Sequence, residues 1–312
     1  MNLNKGKFPS TYEWVLTLVI TFVYLLATSL FLGLRAEHLL MAALFLAFYF
    51  GSEYTRKMAV ALLPFVVFGI SYDWMRICPN YTVNPIDIRG LHDLELSLFG
   101  IHDAGKLVIP GAYFYQHHIA FMDFLSGVFY LCWVPVPIAF GLYLFFSGSR
   151  KVYLHFSLAF LFVNFIGFVG YYIHPAAPPW YTILYGFDPI IHTPGNTAGL
   201  ARFDAMTGLH VFNGIYGRNA NVFAALPSLH ASYMLVTLWY AVRNHCRPFI
   251  IVLFSIIMVG IWFTAVYTAH HYIIDVLLGI ACALIGIFIF EKLLMRIGCF
   301  SRFIERYYHY IA

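Results

Sequence analysis

The sequence predicts an all-α fold, a polytopic bundle of membrane helices, on three observations. Of 312 residues, 62% are apolar and 10% charged, and the mean hydropathy is +0.78. That is too hydrophobic for a soluble domain and too rich in apolar runs for a disordered chain. Runs near the roughly 20 residues needed to cross a bilayer lie at Trp14 to Leu34, Val152 to Tyr172 and Phe249 to Ala269, none containing Lys, Arg, Asp or Glu. The net charge is +4, but the basic residues are dispersed over turns and termini, with no stripe suited to nucleic acid.

Taken in order, Lys5 and Lys7 precede the first run, which resembles a signal peptide. Its hydrophobic core is about twice the usual length and no small-residue cleavage pattern follows, so it is expected to remain as a span. Leu39 to Gly51 and Met58 to Tyr72 flank the charged turn Glu53-Tyr54-Thr55-Arg56-Lys57. Both are short, and the pair reads either as two spans or as a re-entrant hairpin. Asp73 to His118 forms a large polar loop, in which Leu91, Leu94, Leu98 and Phe99 recur near helical spacing and predict an interfacial helix. The next span, Ile119 to Phe146, should be kinked by Pro135 and Pro137. After the basic turn Arg150-Lys151 and the fifth span comes His174-Pro175-Ala176-Ala177-Pro178-Pro179-Trp180-Tyr181. Its prolines enforce an extended chain, and its two aromatics suit the headgroup layer.

A second polar loop covers residues 173 to 225. The last spans are Leu226 to Val242, Phe249 to Ala269 and Tyr272 to Phe290, for a total of about eight. We expect one integral membrane domain: residues 1–118 as N-terminal spans and outer loop, 119–296 as the catalytic core and 297–312 as a cytoplasmic tail. The five cysteines lack the close spacing of a metal site or disulfide framework and read as packing residues. Asn80-Tyr81-Thr82 fits a glycosylation acceptor.

With both termini cytoplasmic, Lys5, Lys7, Arg56, Lys57, Arg150, Lys151, Arg243, Arg247, Lys292, Arg296, Arg302 and Arg306 all lie inside. This is the asymmetry of the positive-inside rule, and it sends both polar loops to the periplasm, cell exterior or organelle lumen. The corresponding membrane is the inner membrane in a bacterium and the Golgi in a eukaryote.

Two motifs open onto that outer side. Pro227-Ser228-Leu229-His230 brings a histidine to the mouth of a span, and His271 precedes Asp275 by one helical turn, so their side chains share a face. A histidine that attacks phosphorus must present a neutral nitrogen, and a carboxylate accepting from its other nitrogen fixes that tautomer and steadies the cation formed. His230, on a neighbouring span, can give the leaving alcohol its proton and later reclaim one. A helix start at Pro227-Ser228 offers free amides and the Ser228 hydroxyl to a phosphate oxygen. The plainer account is interhelical hydrogen bonding, though ionisable groups within a membrane are costly and usually functional.

Pro227-Ser228-Leu229-His230, with Thr264 through His271 to Asp275, resembles the second and third signature motifs of the type 2 phosphatidic acid phosphatase superfamily. Pro-Ser-Leu-His-Ala, the upstream Pro175 to Tyr181 stretch and His270-His271-Tyr272 are similar to its inositol phosphorylceramide synthase branch, the fungal aureobasidin-target family. The resemblance covers residues 150 to 290 firmly and the first half loosely. It implies a six-helix catalytic core and a metal-independent phosphohistidine reaction on a lipid phosphate, with no cofactor. His271 would be the nucleophile, Asp275 its partner and His230 the acid/base. His270 would be a substrate contact, against the plainer reading of an interface histidine.

Three departures refine this expectation. The phosphatase pattern has a lysine near Gly167, an arginine near His174 and another at Ala265, and all three cations are missing. A phosphomonoester carries close to two negative charges near neutral pH, so their loss should cost it heavily, whereas a diester carries one. The expected reaction therefore moves a phospho-alcohol headgroup from a glycerophospholipid donor to a ceramide-like lipid hydroxyl, most simply phosphoinositol to ceramide. The alternatives are a lipid phosphatase or phosphodiesterase of the same fold, and a proton-coupled transporter, for which no internal repeat speaks. Arg218, Arg202, Arg76 or Lys106 would supply the remaining positive charge. Asp73, Arg76 and Asp123 are candidate cavity residues, with charge pairing inside the fold as the plainer account. Pro178, Trp180 and Tyr181 are candidates for a wall that limits water while admitting a lipid hydroxyl.

Overall fold

In the computed structural model, which describes residues 9–217, 219 and 221–312, Ser10 opens the first helix with a reciprocal cap. Its Oγ accepts from the Glu13 amide at 3.3 Å, and the Glu13 carboxylate accepts from the Ser10 amide at 2.7 Å. The helix that follows, α1 (Thr11–Phe31), buries Thr17, Thr21 and Thr28 while Leu18, Val19, Phe22 and Val23 stay exposed. Polar residues inward and apolar residues outward suit lipid as the solvent. Next come α2 (Ala36–Gly51), α3 (Glu53–Ala61) and α4 (Leu63–Trp74), the last two bent by 46° at their junction. Asp73 at the end of α4 accepts from Arg35 at 2.5 Å and pairs with His38 at 3.0 Å and Arg76 at 3.1 Å. These elements form one unit, Met1–Cys78 with Gly298–Ala312; residues Pro79–Ile297 form another.

The first α-helix of the second unit is the predicted interfacial helix, α5 (Arg89–Phe99), which buries Leu91 and leaves Leu94 and Leu98 exposed. A small antiparallel hairpin follows, β1 (Ile101–Asp103) and β2 (Lys106–Val108). Sequence reading missed this hairpin. Its two-residue turn, Ala104-Gly105, has positive φ at both positions, the conformation that matches strand twist. After α6 (Pro110–Gln116), α7 (Ala120–Leu131) meets α8 (Pro135–Phe146) at a 41° bend beside Pro135, as the prolines predicted. The remaining helices are α9 (Arg150–Ile173), α10 (Pro179–Tyr185), α11 (Ala201–Thr207), α12 (Val211–Tyr216), α13 (Leu229–Arg243), α14 (Pro248–Tyr267) and α15 (Ile273–Phe288). Finally α16 (Gly298–Ile311) returns to the first unit, where Tyr307 donates to the Val60 carbonyl at 2.6 Å.

Helices occupy each expected span, but the count of about eight is not reached by length and composition. Among the described residues four helices are long and apolar enough to cross a bilayer, six if each bent pair is one span. The shortfall is α2, 16 residues, and α13, 15 residues. At about 1.5 Å per residue both fall short of a hydrocarbon core of about 30 Å. For α13 the cause is local: the chain is extended at Ala224 and bends at Leu226 and Pro227, so the helix begins only at Leu229.

That extended segment is one of three zipped together. Ala176 in the proline-rich stretch forms parallel bridges with Asp87 and with Ala224. The prolines thus hold an extended strand, as expected, at the centre of a short ladder. Asn80 locks it from behind: its side-chain amide donates to the Tyr171 carbonyl at 2.9 Å and the Phe223 carbonyl at 2.8 Å. Asn80 is fully buried, so the glycosylation expectation is overturned; the acceptor nitrogen is spent inside the protein. Cys246 and Cys282 are buried as packing residues, whereas Cys78 and Cys299 are exposed.

Asn80→Ala is expected to cost about 1–3 kcal/mol, because it strands a buried carbonyl and loses two hydrogen bonds. Thermal unfolding in detergent measures the loss. Intact-mass analysis of protein made in a glycosylating host should show no glycan at Asn80.

Candidate active site

The approach of α13 to α15 builds the site. The Ser228 amide donates to the Asp275 carbonyl at 2.9 Å, and one turn on Ser232 Oγ donates to the Gly279 carbonyl at 2.7 Å. Gly279 is required here, since a methyl group on it would overlap the Ser228 carbonyl oxygen. This contact brings His230 Nδ1 to 3.0 Å from His271 Nε2. The other nitrogen of His271 faces Asp275 Oδ2 at 3.4 Å, a long bond, while the Tyr272 amide donates to the same oxygen at 2.9 Å. All three predicted residues therefore meet, with Asp275 fully buried. If the buried carboxylate accepts from Nδ1, the His271 Nε2 lone pair points at His230 Nδ1–H, the tautomer that in-line attack needs.

The histidine pair hangs from the end of α14. The Ala269 amide donates to the Val266 carbonyl at 3.0 Å, and the His270 amide reaches back to the Ala265 carbonyl at 3.0 Å, which is a Schellman turn. Its left-handed position is filled by Ala269, φ 58°, where glycine is usual. The His271 amide shares the Ala265 carbonyl at 2.9 Å, so the turn aims consecutive histidines apart. His271 goes toward His230. His270 goes to an aromatic patch, its ring centroid 4.5 Å from Tyr216 and 5.6 Å from Tyr130, with Nδ1 3.0 Å from Thr268 Oγ1. His270 is 4% exposed, so the interface reading fails. Burial, reinforced by His271 beside it, pulls its pKa down to about 3, and it stays neutral.

The other candidates divide. Ser228 is buried at the head of α13 and its Oγ has no partner among the described residues. Trp180 and Tyr181 face inward: both pack in a buried cluster with Ala177, Phe223 and Ala269, and the Trp180 amide donates to the Ala269 carbonyl at 2.9 Å. With Pro178, also buried, they brace the histidine turn from behind. Asp123 accepts from Arg202 Nε at 2.7 Å and Tyr267 at 3.0 Å and pairs with His118 at 2.9 Å, which is the pairing account. Asp73 and Arg76 belong to the first unit, where they pair with each other. Arg218 lies outside the described residues.

The three absent cations have structural replacements. Leu229 fills the room beside Gly167 where a longer side chain would lie. His174 bonds Asp87 at 2.9 Å. Ala265 is fully buried and has no space for an arginine. Arg202 lies beside the end of α14, its guanidinium 5.6 Å from the Tyr267 ring centroid, and Asp123 offsets its charge. Lys106 is exposed on the hairpin. Among the described residues no group of His, Cys, Asp and Glu is arranged to hold a metal ion.

Sequence reading missed the rings that flank His230. Tyr130 stacks on it at 5.0 Å and Trp133 meets it edge-on at 4.6 Å. The available signal was their spacing of three, one helix face, just before the proline bend. It also missed Glu95 of α5, whose carboxylate accepts from the Ile273 and Ile274 amides at the head of α15.

Gly279→Ala should push the heads of α13 and α15 apart, at a cost of about 1–3 kcal/mol. Gly279→Ser should cost more. Thermal unfolding of both variants in detergent checks the ordering.

Comparisons with known proteins agree with this geometry. The PAP2 superfamily model matches residues 105–289, the segment that carries all three catalytic candidates. The phosphoinositol dihydroceramide synthase of Bacteroides thetaiotaomicron is 63% identical over 303 residues, covering 97% of this chain and 99% of that protein. The inositol phosphorylceramide synthase catalytic subunit AUR1 of Saccharomyces cerevisiae is 26% identical over 219 residues, 70% of this chain and 52% of that one. Inositolphosphotransferase 1 of the same yeast is 33% identical over 103 residues, 32% of this chain and 20% of that one. No solved structure matches. The match of more than half the chain, together with a relative alike over nearly its whole length, bears out the resemblance read from the motifs: the chain belongs to the PAP2 superfamily.

Proposed function

We propose that this integral membrane protein transfers phosphoinositol from phosphatidylinositol to the primary hydroxyl of ceramide or dihydroceramide. The observation that carries the proposal is His271 Nε2 at 3.0 Å from His230 Nδ1 with Asp275 behind it. The names of the relatives alike over most of this chain support inositol as headgroup and a ceramide-type acceptor.

The donor phosphate enters in place of the contact between the two histidines. His271 Nε2 attacks phosphorus, the bond to the diacylglycerol oxygen breaks, and His230 delivers a proton to that oxygen. Asp275 steadies the positive charge on His271. The acceptor hydroxyl then gives its proton to His230 as its oxygen attacks phosphorus, the P–N bond breaks and His271 is released neutral. Ser228 Oγ is suited to hold a phosphate oxygen, and neutral His270 is suited to an alcohol group of the headgroup. One negative charge on the diester, against roughly two on a monoester, fits a site with three fewer cations than the phosphatase pattern. The charge asymmetry of the short turns supports an active site facing away from the cytosol.

Three outcomes test this reading. Purified protein given phosphatidylinositol and labelled ceramide should form inositol phosphorylceramide and diacylglycerol; free phosphoinositol at every ceramide concentration would make the protein a hydrolase. His271→Ala should abolish transfer, Asp275→Asn should lower it about 10²–10⁴-fold, and His230→Gln should be partly rescued by a donor with an acidic alcohol. For sidedness, Met206→Cys, with Cys78 and Cys299 changed to Ser, should react with an impermeant thiol reagent on intact cells. Labelling only after permeabilisation would invert the topology.

A further inference from the structure

The head of α15 carries two carboxylates. Asp275, from within the helix, takes the Tyr272 amide. Glu95, from α5 far upstream in the chain, takes the next two, with Oε1 2.8 Å from the Ile273 nitrogen and Oε2 3.2 Å from the Ile274 nitrogen. Glu95 is 1% exposed. Its helix is anchored beside it by Leu91, which packs with Ile109, Ala176, Ala225 and Tyr272. No residue of α5 enters the histidine cluster described above.

We infer that Glu95 is a positioning residue for the reaction: its carboxylate grips two successive amides and fixes the direction of the first turn of α15, hence the Asp275 carboxylate relative to His271 Nδ1. The inference rests on the histidine mechanism proposed above. The geometry explains how it works. A single acceptor leaves a helix head free to pivot about one bond, whereas two oxygens on adjacent amides fix its orientation. The Asp275 to His271 bond is already long at 3.4 Å, so a small rotation of that turn would part the pair. The positive end of the helix dipole favours an anion here.

A residue kept for stability alone would be an odd choice. Burying a carboxylate is costly, and a serine or asparagine cap satisfies the same amides without charge. Burial pushes the Glu95 pKa up to about 7, and the nearby charge of Asp275 adds to the push. Tyr272, at the cap of α15, and Asp87 with its partner His174 are titratable groups on the same side. Because the folded-state value exceeds the ordinary 4.5, ionised Glu95 costs stability progressively as pH rises from about 4.5 through about 7. Removing the charge should therefore relieve the fold at pH 8 and still impair the chemistry.

The test uses the full chain in lipid-detergent micelles with phosphatidylinositol and labelled ceramide. Glu95→Ala should lower kcat about 10–100-fold, the usual cost of losing a supporting hydrogen-bond partner, with KM for both lipids within about twofold of wild type. Glu95→Gln, whose carbonyl still accepts one amide, should fall between Ala and wild type. At pH 8 its melting temperature should equal or exceed that of wild type. Wild-type kcat in folded Glu95→Ala and Glu95→Gln would overturn the inference. So would a loss of kcat that only tracks a fall in melting temperature at pH 8, since that is what a fold anchor would give. A wild-type protein that makes no transfer product sinks the parent reading instead, so the two failures are distinguishable.

Discussion

The Ser228 carbonyl lies against the bare Cα of Gly279, and the position of both histidines follows from it. In a lipid-facing bundle, apolar surface gains little by leaving one hydrocarbon for another, so close backbone approach and interhelical hydrogen bonds set helix positions. Here the Ser228 amide on the Asp275 carbonyl and the Ser232 hydroxyl on the Gly279 carbonyl make the seam directional. His230 sits in the first turn of one partner, and His271 just before the other. Their separation is therefore set by backbone atoms that have little freedom to move.

A second layer holds the turn that carries His271. The Schellman closure of α14, the Trp180 amide on the Ala269 carbonyl and the Gly199 amide on the Thr268 carbonyl come from three distant parts of the chain. The ladder through Asp87, Ala176 and Ala224 ties the polar loops to the same place. The polar loops thus act as a clamp that assembles the helix ends carrying the histidines. The bent pair α7 and α8 contributes Tyr130 and Trp133, the rings that confine His230.

Much of this was legible in the residues. The spacing of His271 and Asp275 announced their pairing, although His271 lies in the turn ahead of α15 and not on its face, and the Pro-Ser-Leu-His entry announced a helix head bearing a second histidine. The bend near Pro135 and the amphipathic α5 followed from fixed φ and from leucine spacing. What stayed hidden depended on partners far away in sequence. Trp180 looks like an interface aromatic until Phe223 and Ala269 close over it. Asn80 reads as a surface acceptor until its amide is seen between two carbonyls, and nothing in the leucine spacing around Glu95 points to the amides it meets. Local patterns reveal which face an element offers, not which loop returns to meet it.

Leu229 in the room beside Gly167 bears on how such a site can change its chemistry. A lysine introduced at 167 would drive into a leucine that belongs to the same first turn as His230, while trimming Leu229 first would open a void next to the acid/base before any cation arrived. Each change alone costs packing at the seam of α9 and α13, so the two positions are coupled and a cation at 167 requires a smaller residue at 229.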